Sequence, residues 1–132
     1  MIVGTGIDMV EIARVARSIE RYGTRFLKRV YTSGEIAYCQ RKRRNAAESF
    51  AARFAAKEAG AKALGTGIQY GVSWKELEVR RLPGGRPTLH FSGRASEFAQ
   101  QLGVRHIALS LTHTREHAMA IVSLEGATPG QP

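Results

Sequence analysis

The spacing of hydrophobic and polar positions predicts a strand, a helix and a longer second helix in the first half of the chain. The β-branched residues from Ile2 to Ile7 predict a short strand, and the amphipathic pattern from about Met9 to Tyr22 predicts a helix. An alanine-rich stretch from Ala46 to Leu64 predicts a long helix, because alanine is the strongest helix former, and Gly65 predicts its end.

The predicted strands lie mostly in the second half of the chain. Before them, Thr32 and Glu35 form a capping-box pattern, which predicts a short helix to about Gln40. The later elements are strands at Glu76 to Leu82 and Thr88 to Phe91, a helix at Ala95 to Leu102, and a hairpin of Ile107 to His113 with Ala118 to Leu124. Because several strands are close enough in sequence for antiparallel pairing, we expect an α+β fold with a mainly antiparallel sheet packed against the long central helix. We expect one domain over residues 1–125 and a disordered or frayed tail over residues 126–132.

The composition is that of an ordinary globular domain. Of the 132 residues, 43% are hydrophobic and 23% are charged, which fits one domain. No apolar run approaches the roughly 18 residues of a membrane span, and the N-terminus lacks the pattern of a secretion signal. The single Cys39 excludes an intrachain disulfide. We therefore expect a cytoplasmic protein with no membrane partner.

The net charge of +9 at pH 7 indicates an anionic partner. Nucleic acid, an acidic protein and a phosphorylated small molecule all satisfy this condition. The basic run RKRR at 41–44 favours a small nucleic-acid-binding protein as one interpretation. The strands offer few aromatic residues for base stacking, with Trp74 and Phe91 the clear candidates. A non-catalytic trimeric protein that binds acidic partners is a further interpretation.

Asp8 is the only aspartate of the chain, and it lies in the apolar stretch IVGTGIDMVEI. A carboxylate in apolar surroundings costs several kcal/mol unless it is paired. Three partners are open: Asp8 caps the first helix with Glu11 completing a capping box, pairs with an arginine, or binds a metal. On a strand Asp8 shares a face with Gly4 and Gly6, and glycines there leave room for another chain or a ligand.

Glu58 is a second carboxylate in an apolar setting. In the predicted long helix it lies on the same stripe as Phe50 and Phe54, four and eight residues before it. Lys62 follows four residues later, so an ordinary helical ion pair worth about 0.2–0.5 kcal/mol is one explanation. The helix then ends in GTG at 65–67, where exposed backbone groups leave room for a ligand.

His113 continues the apolar face of its predicted strand where that strand meets the hairpin loop. A single histidine in this position is usually a satisfied core or edge residue. Together with His106 and His117 it matches no standard zinc pattern, so zinc is disfavoured.

Three motifs carry a family resemblance over essentially the whole chain, from Ile2 to about Leu124. They are GIDMVEI at 6–12, RFAAKEAGAKALGTGI at 53–68, and SLTHT at 110–114 followed by a final strand. In this order and at this length they resemble the holo-[acyl-carrier-protein] synthase family, the small bacterial 4'-phosphopantetheinyl transferases.

The resemblance implies a reaction and a set of site residues. It implies transfer of the 4'-phosphopantetheine arm of coenzyme A to a serine of apo-acyl carrier protein, with release of adenosine 3',5'-bisphosphate, in support of fatty acid biosynthesis. It further implies Mg²⁺ as cofactor, which suits two carboxylates because Mg²⁺ accepts one or two of them with waters and phosphates. The implied roles are Mg²⁺ binding for Asp8 and Glu58, catalysis for Glu58 and Lys62, and coenzyme A binding for Lys62, Gly65, His113 and Thr114. Either Glu58 or a metal-bound water remains open as the general base.

The first predicted helix carries a basic stripe without interleaved acids, formed by Arg14, Arg17, Arg21 and Arg25. A solvated face is the plain explanation, and a docking surface is the functional one. The resemblance implies a homotrimer with coenzyme A between adjacent subunits and an acidic acyl carrier protein docked on the first helix, at Arg14 and Arg21. It implies no nucleic-acid partner.

Overall fold

Strands and helices are interspersed along residues 1–128, which are the residues that the structure, a computed structural model, describes. The strands are β1 (Ile2–Glu11), β2 (Leu77–Arg81), β3 (Pro87–Phe91), β4 (Val104–His113) and β5 (His117–Gly126). The helices are α1 (Ile12–Tyr22), α2 (Thr24–Val30), α3 (Ser33–Gln40), α4 (Ala46–Ala63) and α5 (Gly93–Leu102), with short 3-10 turns at Arg43–Asn45 and Trp74–Glu76. The predicted tail begins inside β5 at Gly126, and residues 129–132 lie outside the described residues.

Every strand pair is antiparallel. One sheet has three strands in the order β1-β5-β4, with Asp8 opposite Ala120 and Leu109 opposite Val122. The other sheet is the hairpin of β2 and β3. This confirms the predicted α+β class and the mainly antiparallel sheet. Within residues 1–128, no helix has both the length and the apolar composition needed to cross a membrane.

The helix α4 packs directly against β1 because both contribute small residues. A Cβ atom at Gly4 would collide with the main-chain carbonyl of Ala63, and one at Gly6 with that of Ala59. The glycine face that was expected to leave room for another chain or a ligand is therefore filled by α4. Since side chains alternate along a strand, Asp8 also points toward this helix.

The first helix differs from its prediction in three respects. The strand β1 continues through Glu11, so the helix begins at Ile12 rather than near Met9. Gly23, with φ of 55°, separates α1 from α2, which the hydrophobic pattern did not reveal. Arg25 therefore lies on α2, off the proposed stripe, and Tyr22 is exposed rather than packed.

The remaining predicted elements are present. Thr32 and Glu35 form a complete capping box at the start of α3. The long helix α4 ends as predicted, because Gly65 adopts a positive φ of 84° that favours glycine. Two cores lie on either side of α4, one shared with the sheets and α5 and one shared with α1, α2 and α3.

Candidate active site

Asp8 is paired with Lys62. The Lys62 ammonium donates to Asp8 Oδ1 at 3.0 Å and to the main-chain carbonyl of Ile7 at 3.1 Å. The capping interpretation is wrong, because Asp8 lies inside β1 and the residue before α1 is Glu11, which makes no side-chain cap. The arginine pairing is wrong as well, because the cation is a lysine of α4. Strand β1 reaches this lysine because its glycines let the helix approach.

Glu58 is held by a tryptophan. The indole Nε1–H of Trp74 donates to Glu58 Oε1 at 2.9 Å, from the 3-10 turn that precedes β2. The expected ion pair between Glu58 and Lys62 does not form within the described residues 1–128, because Lys62 turns to Asp8 instead. Glu58 is half-buried beside Phe54, whose ring packs against the Trp74 ring with centroids 6.3 Å apart.

Both carboxylates line one cavity of about 380 Å³ between β1, α1, α2 and α4. Arg14 of α1 lines the same cavity, with Phe26 and Phe54 forming part of its apolar wall. Two carboxylates suit a hard divalent cation such as Mg²⁺, which completes its coordination with water and substrate phosphate. Within residues 1–128 no group of three or more His, Cys, Asp or Glu side chains is placed to hold a metal, which fits a site built from two. The structure thus brings together Asp8, Glu58 and Arg14.

The other predicted coenzyme A residues lie elsewhere. His113 is exposed at the end of β4, and its Nε2 is 3.7 Å from Glu48 Oε2 near the start of α4. Thr114 caps the β4–β5 turn, because its hydroxyl accepts from the amides of Glu116 and His117 at 3.2 and 3.0 Å. The apolar-face prediction for His113 is therefore wrong, since the side chain lies in solvent beside a carboxylate.

The two groups of residues are separated by the length of α4. Glu48, beside His113, and Lys62, beside Asp8, are 14 positions apart, which is about 21 Å at the rise of an α-helix. Gly65 lies just beyond Lys62 at the far end of the helix, with its amide bonded to the Lys62 carbonyl at 2.9 Å. One chain therefore does not bring His113 and Thr114 together with Lys62 and Gly65.

A dense group of cations surrounds Tyr38 near His113. The cationic groups of Arg53, Lys42, Arg81 and Arg41 lie 4.0, 4.8, 5.2 and 5.8 Å from the centre of its ring. Partial burial raises the pKa of Tyr38, but a hydrogen bond with Lys42 and the nearby positive charges outweigh this and lower the pKa below its ordinary value. The region has a strong positive potential.

Arg53 is the member of this group that most clearly lacks a partner. It is buried on α4, and its Nε is without a hydrogen-bond partner among the described residues 1–128. With Tyr38, Lys42, Arg81 and His113 it lines a second cavity of about 270 Å³. A buried, unsatisfied guanidinium nitrogen in such a cavity is suited to an anion. The sequence analysis missed these residues; the only signal was Arg53 at the head of the KEA motif.

A buried ion pair ties α4 to its neighbours. Lys57 and Glu35, both fully buried, are 2.6 Å apart, and Lys57 also donates to the carbonyls of Trp74 and Leu77 at 3.2 and 3.1 Å. The second oxygen of Glu35 accepts from the Val79 amide at 2.9 Å. The pair thereby fixes α3, the Trp74 turn and β2 to the middle of α4. Sequence analysis did not identify it.

The predicted docking arginines lie on the exposed side of α1. Arg14, Arg17 and Arg21 line a surface groove along this helix, and Arg21 stacks over the exposed Tyr22 ring at 5.4 Å. Arg14 lines both this groove and the cavity of Asp8 and Glu58. A basic surface thus leads directly to the two carboxylates.

Comparison with known proteins decides the family. The model of the 4'-phosphopantetheinyl transferase superfamily matches residues 4–122. The chain belongs to this superfamily. Among its transferase relatives, the holo-[acyl-carrier-protein] synthases of Koribacter versatilis and Solibacter usitatus are 59% and 58% identical over 125 residues, covering 95% of this chain and 99% of each relative. The resemblance found in the sequence is confirmed.

Solved transferase structures share the fold. The holo-[acyl-carrier-protein] synthase of Helicobacter pylori, in complex with coenzyme A, is 30% identical with a TM-score of 0.80, covering 92% of this chain and 99% of that one. The enzyme from Neisseria meningitidis is 32% identical with a TM-score of 0.83, covering 95% and 99%. The predicted α+β architecture is therefore that of this transferase family.

Proposed function

We propose that this chain is a cytoplasmic, Mg²⁺-dependent holo-[acyl-carrier-protein] synthase that supports fatty acid biosynthesis. It transfers 4'-phosphopantetheine from coenzyme A to a serine of apo-acyl carrier protein. The observation that carries the proposal is the cavity that joins Asp8 of β1 to Glu58 of α4 beside Arg14. Membership of the transferase superfamily supports it. A nucleic-acid-binding protein would explain the charge but would have no use for this pair of carboxylates.

The bond changes are those of a phosphoryl transfer. The serine oxygen forms a bond to the phosphorus that carries pantetheine, and the bond from that phosphorus to the oxygen of the adenosine 5'-phosphate breaks. Adenosine 3',5'-bisphosphate leaves. Mg²⁺ held by Asp8 and Glu58 would supply positive charge to the diphosphate and to the leaving group. Glu58 is the chain's own candidate to accept the serine proton.

Lys62 is placed to serve the diphosphate. Its side chain is 51% exposed and the Asp8 side chain 18% exposed, so their ion pair is a partly solvated contact of small net stability. The ammonium can therefore exchange Asp8 for a phosphate oxygen at little cost. We assign Lys62 and Gly65 to the phosphates at the C-terminal end of α4.

His113 and Thr114, together with the unpartnered Arg53, are assigned to the 3'-phosphoadenosine end of coenzyme A. Because these residues and Lys62 lie about 21 Å apart along α4, we propose that each coenzyme A contacts two subunits. A phosphorylated nucleotide suits the Arg53 cavity because guanidinium groups bind phosphate through strong charge-assisted hydrogen bonds.

A trimer supplies those two subunits. The sheet face opposite α4 exposes Ile7, Met9 and Ile121, at 55%, 58% and 47% of their surface, with Ile7 directly opposite Ile121. Contiguous apolar side chains on an exposed sheet favour association with other copies. We propose that three copies associate through this face and form the shared active sites between them.

The acidic acyl carrier protein docks on α1. Arg14 and Arg21 supply positive charge on the exposed side of this helix, and complementary charge speeds encounter and fixes orientation. Because Arg14 also lines the carboxylate cavity, a carrier bound here presents its serine to Glu58.

Coenzyme A binding and transfer test the proposal together. Calorimetry with and without Mg²⁺ measures binding, and mass spectrometry of an apo-acyl carrier protein measures transfer. We expect a carrier heavier by one phosphopantetheine group only when coenzyme A and Mg²⁺ are both present. An unmodified carrier under these conditions, from folded protein that binds neither ligand, would reject the proposed function.

A further inference from the structure

We infer that Trp74 is a positioning residue for Glu58, whose indole N–H fixes one carboxylate oxygen and directs the other into the cavity shared with Asp8. The inference rests on the proposed function, because it assigns a cause to the orientation of a proposed catalytic group. Trp74 is the only tryptophan of the chain and lies in the turn before β2, outside the three motifs that carry the family resemblance.

The Glu58 carboxylate needs an external partner to take one orientation. The last torsion of a glutamate side chain is broad, so the helix alone does not fix which oxygen faces the cavity. The Trp74 Nε1–H binds Oε1 at 2.9 Å, and an indole nitrogen is a donor only. Oε1 is therefore occupied by a neutral donor, and Glu58 keeps its charge.

The two carboxylates of the cavity are held in different ways. Asp8 is bound by the Lys62 ammonium, which is half-exposed and free to move to a phosphate. Glu58 is bound by a neutral ring that has no alternative anion to serve. When substrate enters, the contact of Asp8 is thus exchanged, while that of Glu58 persists. A fixed Glu58 suits a group that must meet the reacting atoms in one geometry.

Trp74 is itself held firmly at three points. Its ring packs on Phe54 with centroids 6.3 Å apart, and the Arg29 guanidinium lies 5.6 Å from the ring centre on α2. Its main-chain carbonyl accepts from the buried Lys57 at 3.2 Å. Lys57 is in turn paired with Glu35 at 2.6 Å, so the turn is anchored in the core. The position of the indole N–H is therefore set by the fold.

A purely structural tryptophan would need its ring and not its N–H, and the single tryptophan makes this distinction measurable. Biosynthetic replacement with 3-(3-benzothienyl)alanine exchanges the indole N–H for sulfur at this residue alone and keeps the ring shape. Replacement with 5-fluorotryptophan keeps the N–H and is the matched control. We expect the benzothienyl protein to lose about tenfold or more in kcat, with KM for coenzyme A and the melting temperature near the control values.

A second variant and a second readout keep the test independent of that substitution. Trp74→Phe removes the N–H and retains an aromatic ring, so the same fall in kcat is expected, whereas Arg29→Ala removes a contact to the ring and should leave kcat unchanged. In ¹⁵N-labelled wild type the single indole N–H gives one cross-peak, which should move upfield in Glu58→Ala as its acceptor is lost.

The outcomes separate the inference from the proposed function. If wild type and the 5-fluorotryptophan control transfer nothing, the proposed function fails and the inference fails with it. If both transfer, and the benzothienyl and Trp74→Phe proteins match them in kcat, the positioning inference alone is overturned. An indole cross-peak unmoved by Glu58→Ala would also overturn it, whatever the activity.

Discussion

Lys62 of α4 binds Asp8 of β1 at 3.0 Å, although the two residues are 54 positions apart in the chain. The contact exists because Gly4 and Gly6 let the strand lie against the helix backbone. It gives the lone aspartate a cation in the absence of a ligand. It also holds Lys62 at the cavity where we expect the diphosphate.

Asp8→Ala and Glu58→Ala should each abolish transfer while the protein stays folded. Each substitution removes one side-chain contact that is at least partly solvated, so the stability loss should be about 1 kcal/mol. The transfer reaction loses a proposed Mg²⁺ ligand. Mass spectrometry of the carrier and thermal unfolding measure the two effects. Near wild-type transfer by both variants with Mg²⁺ present would reject the carboxylate assignment.

Arg21→Glu should raise the KM for the acidic carrier and leave coenzyme A binding unchanged. Arg21 lies in the α1 groove, away from the carboxylate cavity that Arg14 also lines, which makes it the cleaner test. The effect should shrink as salt screens the wild-type attraction. Arg105→Glu, an equal charge change on β4, is the control. Equal carrier KM values for the two variants at low salt would show that the α1 stripe is only a solvated face.

A mixture of Glu58→Ala and His113→Ala proteins should recover activity that neither has alone. The two residues belong to groups about 21 Å apart along α4, so a shared site would take one from each of two subunits. Mixed trimers then contain some intact sites. Light scattering should first give a trimer mass at the working concentration. A monomer mass in an active sample, or no recovery after subunit exchange, would contradict the shared site.

Lys57→Met should destabilise the protein strongly. It leaves the Glu35 carboxylate buried without its cation, and breaking a buried ion pair typically costs about 3–5 kcal/mol. Denaturant unfolding measures the loss. The double variant Lys57→Met with Glu35→Gln should recover part of it, because the uncompensated charge is gone. A Lys57→Met protein as stable as wild type would mean that water or another cation reaches Glu35.

Tyr31 should make the protein less stable in alkaline solution. Burial raises the pKa of its hydroxyl well above the ordinary value of about 10, and the hydroxyl donates to the Phe50 carbonyl at 2.7 Å. The raised folded-state pKa makes a contribution that is full below about pH 10 and is lost as the pH rises, because the unfolded chain releases the proton first. Wild-type stability should therefore fall more steeply above pH 10 than that of Tyr31→Phe. Parallel pH profiles would contradict this assignment.

Local patterns predicted the elements, and they failed where tertiary contacts decide. The alanine-rich α4 and the Thr32–Glu35 capping box follow from residue type and spacing, so both were predicted. Strand β1 was expected to end at Ile7, but pairing with β5 through Glu11 and His117 extends it. This extension moved Asp8 from a supposed helix cap into the strand.

The candidate site was predicted in part. The resemblance supplied Asp8 and Glu58, and the structure places both on one cavity. Their hydrogen-bond partners were missed, because Lys62 and Trp74 reach them only after α4 has packed on β1 and on the turn before β2. The separation of His113 from Lys62 was invisible for the same reason, since it depends on the direction of α4 relative to β4.

The contact between β1 and α4 gives Gly4 and Gly6 an influence over chemistry that neither touches. No side chain separates the two backbones there, so the offset between the strand carrying Asp8 and the helix carrying Glu58 is fixed by main-chain atoms, which have no rotamers. Side-chain motion elsewhere in the core does not alter that offset. A single methyl group added at Gly6 would shift the helix as a rigid rod and widen the gap that the two carboxylates must span.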